Sequence, residues 1–354
     1  MKKKIAIFGA TGSIGKNLLE IIENYNNKFD IKLLSANKNY KKVLKLAKKF
    51  KVKNVIIHDL KTFRKTKKIF LKNKISLFSS FLDYKKSKNI KFDYTMIAVT
   101  GFFGLKISLD VIKSSFNIAI ANKESIICGW SLINKKLKKN HTKFIPIDSE
   151  HFSIDQLISP EKRTFIKKVY LTASGGPFLK FSKKSLDKIK IKDALNHPTW
   201  KMGQKISIDS ATMINKVYEV IEAKKIFDLE YSKIDILIQP TSYVHSIIEF
   251  MNGTTHILAH KPTMKIPIFN SILKGSVYEN KVDTLIDYNF INNLQLQKVP
   301  SRIFPIKKIL DLIPEKDSLF ETILVSANDT LVELFLTKKI PFNKIHSLLG
   351  KVLR

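Results

Sequence analysis

Residues 4–15 read KIAIFGATGSIG, a short apolar run that meets glycine at residue 9 and is followed by glycines at residues 12 and 15. The run predicts a β-strand over residues 4–8, and helical apolar spacing begins near Ile14. A strand, a tight glycine turn and a helix are typical of the start of a nucleotide-binding sheet, where helical N–H groups can hold a pyrophosphate. Glycines also occur in ordinary turns, but the position of these three, at the first strand-to-helix turn, favours a nucleotide site.

The alternation of strands and helices continues through the first 147 residues. Further strands are predicted at Ile31–Leu34, Asn54–Ile57, Tyr94–Val99, Ile118–Ala121 and Phe144–Ile147, with a Lys-rich helix around residues 40–50. This order predicts an α/β domain with a Rossmann-like, doubly wound parallel sheet.

The pattern changes beyond residue 148. Strands with longer polar loops are predicted at Val169–Thr172, Lys205–Ile208 and Ile234–Ile238, and helical spacing is found at residues 318–336 and 345–353. We therefore expect a Rossmann-like domain over residues 1–147, a central α+β domain over residues 148–300 with a lid loop near residues 197–205, and a small, shortened C-terminal helical domain over residues 301–354.

Composition limits the class of protein. With 354 residues, 44% of them hydrophobic, the chain can bury a sizeable core, and its apolar stretches fall short of the roughly 20 residues that span a bilayer. The net charge of +33 would suit nucleic acid, but only four of the 63 basic residues are Arg, and the Lys residues are dispersed. A single cysteine, Cys128, and a short apolar run after the N-terminal lysines favour a cytoplasmic protein without a signal peptide. We expect no nucleic-acid partner and no membrane contact.

The end of the second strand indicates which dinucleotide is bound. NAD-preferring sites place Asp or Glu there for the ribose hydroxyls, whereas residues 35–39 read SANKN and contain no carboxylate. Lys38 would attract a 2′-phosphate, so NADPH is the predicted cofactor. The alternative is that Lys38 is one more surface lysine.

Two carboxylates follow the last strand of the first domain. Asp148 and Glu150 lie after Phe144–Ile147, at the strand end where α/β proteins place their sites. Extended backbone would direct both to one side, where they would suit a hard cation such as Mg²⁺ or Mn²⁺. A pair with this spacing on a surface loop is also commonly solvated charge.

A third region has polar residues at suggestive spacing. Residues 197–219 read HPTWKMGQKISIDSATMINKVYE, and we expect a strand that ends at a helix N-terminus, with the Ser210 hydroxyl and helical N–H groups facing a phosphate. Asn215 and Glu219 lie four apart on one helical face, next to Lys216.

Another glycine-rich segment, LTASGGPF at residues 171–178, supplies the Ser174 hydroxyl at a strand end. An ordinary turn accounts for this segment equally well. An N-cap role likewise accounts for Ser210, and solvent exposure accounts for Asn215 and Lys216.

Six blocks together carry a family resemblance. They are GATGSIG at residues 9–15, ANKES at 121–125, PIDSEH at 146–151, LTASGGPF at 171–178, HPTWKMG at 197–203 and KISIDSATMINK at 205–216. In this order they resemble the 1-deoxy-D-xylulose 5-phosphate reductoisomerase family. The resemblance implies NADPH-dependent conversion of 1-deoxy-D-xylulose 5-phosphate to 2-C-methyl-D-erythritol 4-phosphate by retro-aldol cleavage, re-aldolisation and hydride transfer. It also implies a homodimer.

The resemblance assigns roles by motif. The metal ligands for Mg²⁺ or Mn²⁺, with Co²⁺ as a further candidate, would be Asp148, Glu150 and Glu219, which with Lys123 form the expected catalytic set. The sugar phosphate would contact Ser174, Ser210, Asn215, Lys216, His197, Ser149, Lys123 and Glu219. The NADPH site would be lined by Thr11, Gly12, Ser13, Ile14, Asn37, Lys38, Asn39, Asn122, Glu124 and Gly203. Trp200 and Met202 would cover the substrate as part of the lid.

Some positions depart from the family pattern. Val217 replaces a glycine and Gln204 stands where a basic residue is common, but neither removes a predicted ligand. Residues 239–242, Gln-Pro-Thr-Ser, take the place of a His-Pro-Gln-Ser segment. Two alternatives stay open from sequence alone. A semialdehyde dehydrogenase would use Cys128 as a nucleophile, and a nucleic-acid-binding protein would use the positive charge.

Overall fold

The computed structural model describes residues 1–200, 202–273 and 288–354. The described chain forms two compact units. The first comprises Met1–Asp148 and residues 264–273, and the second comprises Ser149–Thr263 and residues 288–354.

The first unit is built on a seven-stranded sheet in which every pairing is parallel, in the order β4-β3-β2-β1-β5-β6-β7. Its strands are β1 (Lys3–Phe8), β2 (Phe29–Ala36), β3 (Asn54–Ile57), β4 (Ser76–Phe78), β5 (Phe92–Ile97), β6 (Ser115–Ile120) and β7 (Lys143–Ile145). Its helices are α1 (Ser13–Asn24), α2 (Tyr40–Lys49), α3 (Leu60–Lys72), α4 (Phe81–Ser87), α5 (Phe103–Val111), α6 (Lys123–Asn140) and the later α11 (Lys265–Leu273).

The central strands of this sheet are buried on both faces, which is why they read as continuous apolar runs. Residues 5–8 of β1 are fully buried, as are residues 55–57 of β3. The strand order reverses between β1 and β5, so a crevice opens beyond their carboxyl ends, where doubly wound sheets bind ligands. The glycine turn follows β1 and therefore lies at this crevice.

The second unit combines a mixed five-stranded sheet with helices. The strand order is β11-β10-β8-β9-β12, with β8 and β9 parallel and the other pairs antiparallel. The strands are β8 (Ile166–Ala173), β9 (Ile234–Ile238), β10 (Val244–Phe250), β11 (Thr255–Ala259) and β12 (Gln297–Lys298). The helices are α7 (Ser149–Leu157), α8 (Ile191–Leu195), α9 (Gln204–Ala211), α10 (Ile214–Phe227), α12 (Tyr288–Asn292), α13 (Ile306–Leu310), α14 (Phe320–Leu336) and α15 (Lys344–Val352).

The predicted fold class is confirmed, and most predicted elements are present with small shifts at their ends. The strands at Asn54–Ile57 and Ile234–Ile238 have the predicted bounds, and the predicted C-terminal helices correspond to α14 and α15. The division at residue 301 stays a prediction. In the part of the chain that the structure describes, no helix combines the length and apolar character needed to cross a bilayer.

Two local predictions are wrong. Lys205–Ile208 is not a strand but the first part of α9, because Gly203 begins a helix and the buried residues Ser207, Ile208 and Ala211 follow helical rather than alternating spacing. The segment after Asp148 is not extended either, since α7 begins at Ser149.

Candidate active site

The glycine turn after β1 depends on the absence of side chains. Gly9 has φ +83°, and a Cβ there would lie 2.2 Å from the Ala98 carbonyl oxygen, next to β5. A Cβ on Gly15 would lie 2.6 Å from the Gly9 carbonyl oxygen. The first glycine therefore permits close approach of β1 and β5, and the third lets α1 pack on the strand.

The helix that follows this turn offers its backbone donors to a ligand. Gly12 is the N-cap of α1 and supplies no side-chain cap, and the first turn carries no acidic residue. Thr11, Ser13 and Ile14 complete this turn. Exposed N–H groups together with the helix dipole suit a phosphate group.

A neutral histidine supports the turn from β2 and β3. The Gly9 N–H donates to Ser35 Oγ at 3.2 Å, and that hydroxyl lies 3.1 Å from His58 Nε2. Burial lowers the pKa of His58 to about 4. The ring is therefore uncharged near neutral pH and adds no charge beneath the nucleotide site.

The other predicted nucleotide residues fall into three groups. Asn37, Lys38 and Asn39 follow β2, and the Asn39 side chain caps α2 by accepting from the Lys42 N–H at 3.2 Å. Gly203, the N-cap of α9, belongs to the second unit.

Asn122 and Glu124 form the third group, at the start of α6. The Asn122 amide donates to the Gly101 carbonyl at 3.1 Å and to Glu124 at 2.9 Å, and its oxygen accepts from the Ser125 N–H at 2.7 Å. Its side chain is buried and already engaged, so any cofactor contact there would need a rearrangement.

A buried cluster of charges lies between α7 and α10 of the second unit. Lys216 Nζ lies 2.8 Å from Glu150 Oε1 and 2.5 Å from Glu219 Oε2, and it donates to the Thr172 carbonyl at 2.6 Å. Burial alone would lower the pKa of Lys216, but the two carboxylates outweigh it and hold that pKa above its usual range. One ammonium thus balances part of the charge of two acids.

Each carboxylate in the cluster is also held by a neighbour. Asn215 Nδ2 donates to Glu219 Oε1, as their spacing of four residues on α10 predicts. The Ser149 hydroxyl donates to Glu150 Oε2 at 2.7 Å. These bonds orient the acids before any ligand binds.

Asp148 is the last residue of the first unit and is joined through Ser149 to Glu150. Its carboxylate pairs with the Lys123 ammonium, at the first turn of α6. One oxygen from each of Asp148, Glu150 and Glu219 lies within 4.8 Å of the others. Three carboxylate oxygens this close form a donor set that suits a hard divalent cation.

A second polar cluster surrounds His197. His197 Nδ1 accepts the N–H groups of Thr199 at 3.1 Å and Trp200 at 2.9 Å, so Nε2 carries the proton. Nε2 lies 3.1 Å from Ser174 Oγ, which also accepts from the Gly176 N–H at 3.0 Å. Burial, and then the charge of Lys216, lower the pKa of His197 to about 4. The Ser174 hydroxyl hydrogen is thus free to donate to a ligand.

The residues predicted to bind phosphate converge, although Ser210 does so in an unexpected way. Ser210 lies in the last turn of α9, not at a strand end, and Met213 in the left-handed region joins α9 to α10. A Cβ on Gly176 would lie 3.0 Å from the Ser210 carbonyl oxygen. A cleft of about 1240 Å³ opens beside this turn and is lined by Ser174, Gly176 and Pro198 among others.

The lid prediction at residues 197–205 includes Lys201, which lies outside the described residues. Trp200 and Met202 are both half-buried, and the Trp200 ring is 6.4 Å from that of His245. The segment therefore has two large apolar side chains that are partly accessible.

Sequence reasoning missed two residues that position the cluster. His151 Nε2 donates to the Glu219 carbonyl at 2.9 Å, and its ligand atom also groups with those of Asp148 and Glu222 within 4.8 Å. The Thr172 carbonyl holds Lys216. A carbonyl leaves no trace in a sequence pattern, but a histidine directly after a pair of predicted metal ligands was a usable signal.

Fold and site together define a nucleotide-dependent oxidoreductase with a carboxylate site for a divalent cation. Family models match three segments: 1-deoxy-D-xylulose 5-phosphate reductoisomerase over residues 5–129, the 1-deoxy-D-xylulose 5-phosphate reductoisomerase C-terminal domain over residues 144–227, and the DXP reductoisomerase C-terminal domain over residues 260–354. A 1-deoxy-D-xylulose 5-phosphate reductoisomerase from Pelagibacter ubique is 53% identical over 99% of this chain and 90% of its own length.

Solved structures agree with these matches. The reductoisomerase from Zymomonas mobilis in complex with NADPH has a TM-score of 0.90 and 30% identity, covering 100% of this chain and 92% of that one. A DOX-P reductoisomerase in complex with NADPH, fosmidomycin and magnesium has a TM-score of 0.91 and 32% identity, covering 99% of this chain and 89% of that one. The chain belongs to the 1-deoxy-D-xylulose 5-phosphate reductoisomerase family. The matches do not favour either alternative, the semialdehyde dehydrogenase or the nucleic-acid-binding protein.

Proposed function

We propose that this chain converts 1-deoxy-D-xylulose 5-phosphate to 2-C-methyl-D-erythritol 4-phosphate, with NADPH as reductant and a divalent cation bound by Asp148, Glu150 and Glu219. The observation that carries the proposal is the approach of these three carboxylate oxygens to within 4.8 Å of one another. The related enzymes crystallised with NADPH and with magnesium support the same cofactors.

When bound, the cation acts as a Lewis acid on substrate oxygens and NADPH supplies the hydride. The chain's own residues orient these groups. Glu150 and Glu219 are held by Ser149 and Asn215 and by Lys216, so both carboxylates are oriented before a cation binds. Lys123, paired with Asp148, places a positive charge where charge on a substrate oxygen would develop.

The phosphate group of the substrate is bound by hydroxyl, amide and ammonium donors of the second unit. Ser174 donates its free hydroxyl hydrogen, and neutral His197 fixes the orientation of that hydroxyl. Ser210 in the last turn of α9 and Asn215 and Lys216 at the start of α10 complete the set. The first turn of α10 has no side-chain cap. Asp148, Glu150 and Glu219 would hold the cation, whose charge would replace part of what Lys216 supplies to the two acids, and the Lys216 ammonium would then be available to the phosphate.

The test is NADPH oxidation followed at 340 nm with 1-deoxy-D-xylulose 5-phosphate, after removal of metal and with added Mg²⁺, Mn²⁺ or Co²⁺. We expect turnover only with a cation, and product of the mass of 2-C-methyl-D-erythritol 4-phosphate. A protein that binds NADPH but oxidises none of it with any of the three cations would contradict the proposal. We propose that Mg²⁺ and Mn²⁺ both support the reaction, since three carboxylates suit either ion.

We also propose a homodimer that uses the edge strand β11. Ile257 on this strand is 47% exposed, and Met251 and Phe165, just beyond the ends of β10 and β8, are 64% and 59% exposed. These last two are adjacent because the Met251 N–H donates to the Phe165 carbonyl at 2.8 Å. Among the residues that the structure describes, β11 lies at the edge of its sheet, and an edge strand with apolar side chains favours pairing with a second copy. Light scattering should give a dimer mass for the native chain and a monomer mass for Ile257→Lys; a native monomer would exclude this interface.

Three further predictions are kept as proposals. The single cysteine supports a cytoplasmic location, which cell fractionation tests.

The partly accessible Trp200 and Met202 support a lid over the substrate, which quenching of Trp200 fluorescence by a substrate analogue tests. The end of the first compact unit at Asp148 supports the first boundary of the domains proposed at residues 1–147, 148–300 and 301–354, and limited proteolysis tests all three.

A further inference from the structure

Two lysines that the motifs do not include meet at the glycine turn of the first unit. Lys16 lies in the first turn of α1, and Lys42 lies in the first turn of α2. Lys42 Nζ donates to the Thr11 carbonyl at 2.9 Å, and the amino group of Lys16 lies close beside it. Two amino groups thus lie close together beside a turn that is predicted to bind a dinucleotide.

The carboxylates of the same helices do not neutralise this pair. Within α1, Glu20 pairs with Lys265 at 2.8 Å and Glu23 pairs with Lys49 at 2.7 Å. Helix α2 reads YKKVLKLAKK and contains no carboxylate. The contact with Lys16 and partial burial lower the pKa of Lys42 to about 8, as expected when two like charges are crowded.

The place in the fold indicates which anion fits. Lys42 lies next to residues 37–39, where β2 ends, and this is where doubly wound domains bind the adenosine ribose and, in NADP-binding proteins, its 2′-phosphate. A phosphate monoester dianion brings two negative charges to two amino groups. The bare hydroxyl of NADH brings none.

We propose that Lys16 and Lys42 form the subsite for the adenosine 2′-phosphate of NADPH and set the preference for NADPH over NADH. This inference rests on the proposed function, since it assumes a dinucleotide at the glycine turn. Lys42 also holds the Thr11 carbonyl, so the test must separate loss of charge from loosening of the turn.

The experiment measures dissociation constants for NADPH and NADH from nicotinamide fluorescence, in the absence of substrate and metal. We expect Lys42→Gln to weaken NADPH binding about tenfold, as for one charge-assisted hydrogen bond, and Lys16→Gln about fivefold. NADH affinity should change less than twofold in both. Lys42→Arg should restore most of the NADPH affinity, and Lys45→Gln, an exposed lysine of the same helix, should bind both cofactors like the native chain.

Each possible result decides the question. Equal weakening of NADPH and NADH would show that Lys42 only shapes the turn, and unchanged NADPH affinity would show that Lys38 alone reads the phosphate; either overturns the proposal. Competition by 2′-AMP but not 5′-AMP, lost in Lys42→Gln, would assign the contact to the 2′-phosphate, while the reverse would assign it to the pyrophosphate and overturn it. Selective NADPH binding without turnover of the sugar phosphate would leave this subsite standing and refute the proposed function alone.

Discussion

The glycine turn of the first unit and the carboxylate cluster of the second are built on opposite principles. The turn occupies seven consecutive residues and works through backbone, since a Cβ on Gly9 would lie 2.2 Å from the Ala98 oxygen. The cluster works through buried charges that come from distant segments, with Lys216 2.8 Å from Glu150 and 2.5 Å from Glu219. A local backbone site is sensitive to added atoms, whereas a distributed charge site is sensitive to a change in charge.

The largest expected effect is loss of turnover on neutralising one acid of the cluster. Glu219→Gln keeps the shape of the side chain but removes a predicted metal ligand and one partner of Lys216. We expect kcat to fall at least about a thousandfold, equivalent to roughly 4 kcal/mol of barrier, while NADPH affinity stays within twofold. Steady-state kinetics and a fluorescence titration check both. Glu230→Gln, at an exposed carboxylate just after α10, is the matched control. A Glu219→Gln protein that keeps most of its rate would remove this residue from the metal site.

The glycine turn should be most sensitive to the addition of a single methyl group. Gly9→Ala places Cβ against the Ala98 oxygen at φ +83°, and we expect a loss of about 3 kcal/mol in the free energy of unfolding together with weak NADPH binding. Gly253→Ala separates the two causes, because Gly253 has φ +84° but nothing within 4 Å of its Cβ. Urea denaturation should give a loss near 1 kcal/mol for Gly253→Ala. Equal losses at both glycines would mean that the contact with Ala98 is unimportant.

The same contrast explains how far the sequence could predict the molecule. Six of the parallel strands were predictable because they read as apolar runs, whereas β4, with one exposed and two half-buried residues, was not predicted. The glycine turn was predictable because all its parts are neighbours in the chain. The alternation in residues 205–208 was misleading, since in an isolated segment it matches a strand. Only the start of a helix at Gly203 and its packing settle the matter.

The contacts that complete the two sites could not be predicted in the same way. The bond from His151 to the Glu219 carbonyl joins residues 68 apart, and that from Lys42 to the Thr11 carbonyl joins residues 31 apart. Both use a backbone acceptor, which every residue possesses. Motif resemblance could therefore name the acids and the glycines but not these two contacts.

A smaller effect is expected when the pH is lowered, and it concerns the stability of the turn between α9 and α10. His346 Nε2 donates to the Thr212 carbonyl at 2.8 Å, and burial lowers the pKa of His346 to about 4. An imidazole in the unfolded chain titrates near 6.5, so the unfolded state takes up a proton first as the pH falls. The stability from the neutral ring is complete above about pH 6.5 and is lost toward pH 4.

Between pH 7 and pH 5 the free energy of unfolding should fall in both proteins. We expect the fall to be about 2 kcal/mol smaller for His346→Gln than for the native chain. Urea denaturation of both proteins at the two pH values gives this difference, in which the other histidines cancel. Glutamine can still donate to the Thr212 carbonyl, so the two proteins should differ little at pH 7. Parallel losses on acidification would show that His346 titrates normally in the folded chain.

The smallest expected effect is that of a substitution at Gly203. It tests whether the second unit has a glycine whose replacement would bring a Cβ against backbone atoms, as at Gly9. Gly203 has φ −70° and nothing within 4 Å of its Cβ. Alanine is a poorer N-cap than glycine by several tenths of a kcal/mol, but it reduces the entropy of the unfolded chain by a similar amount. Gly203→Ala should therefore leave the free energy of unfolding within about 0.5 kcal/mol of the native value. A change in kcat without a change in stability would assign this glycine to lid movement, whereas a stability loss above about 1 kcal/mol would mean that backbone space at Gly203 is as constrained as it is at Gly9.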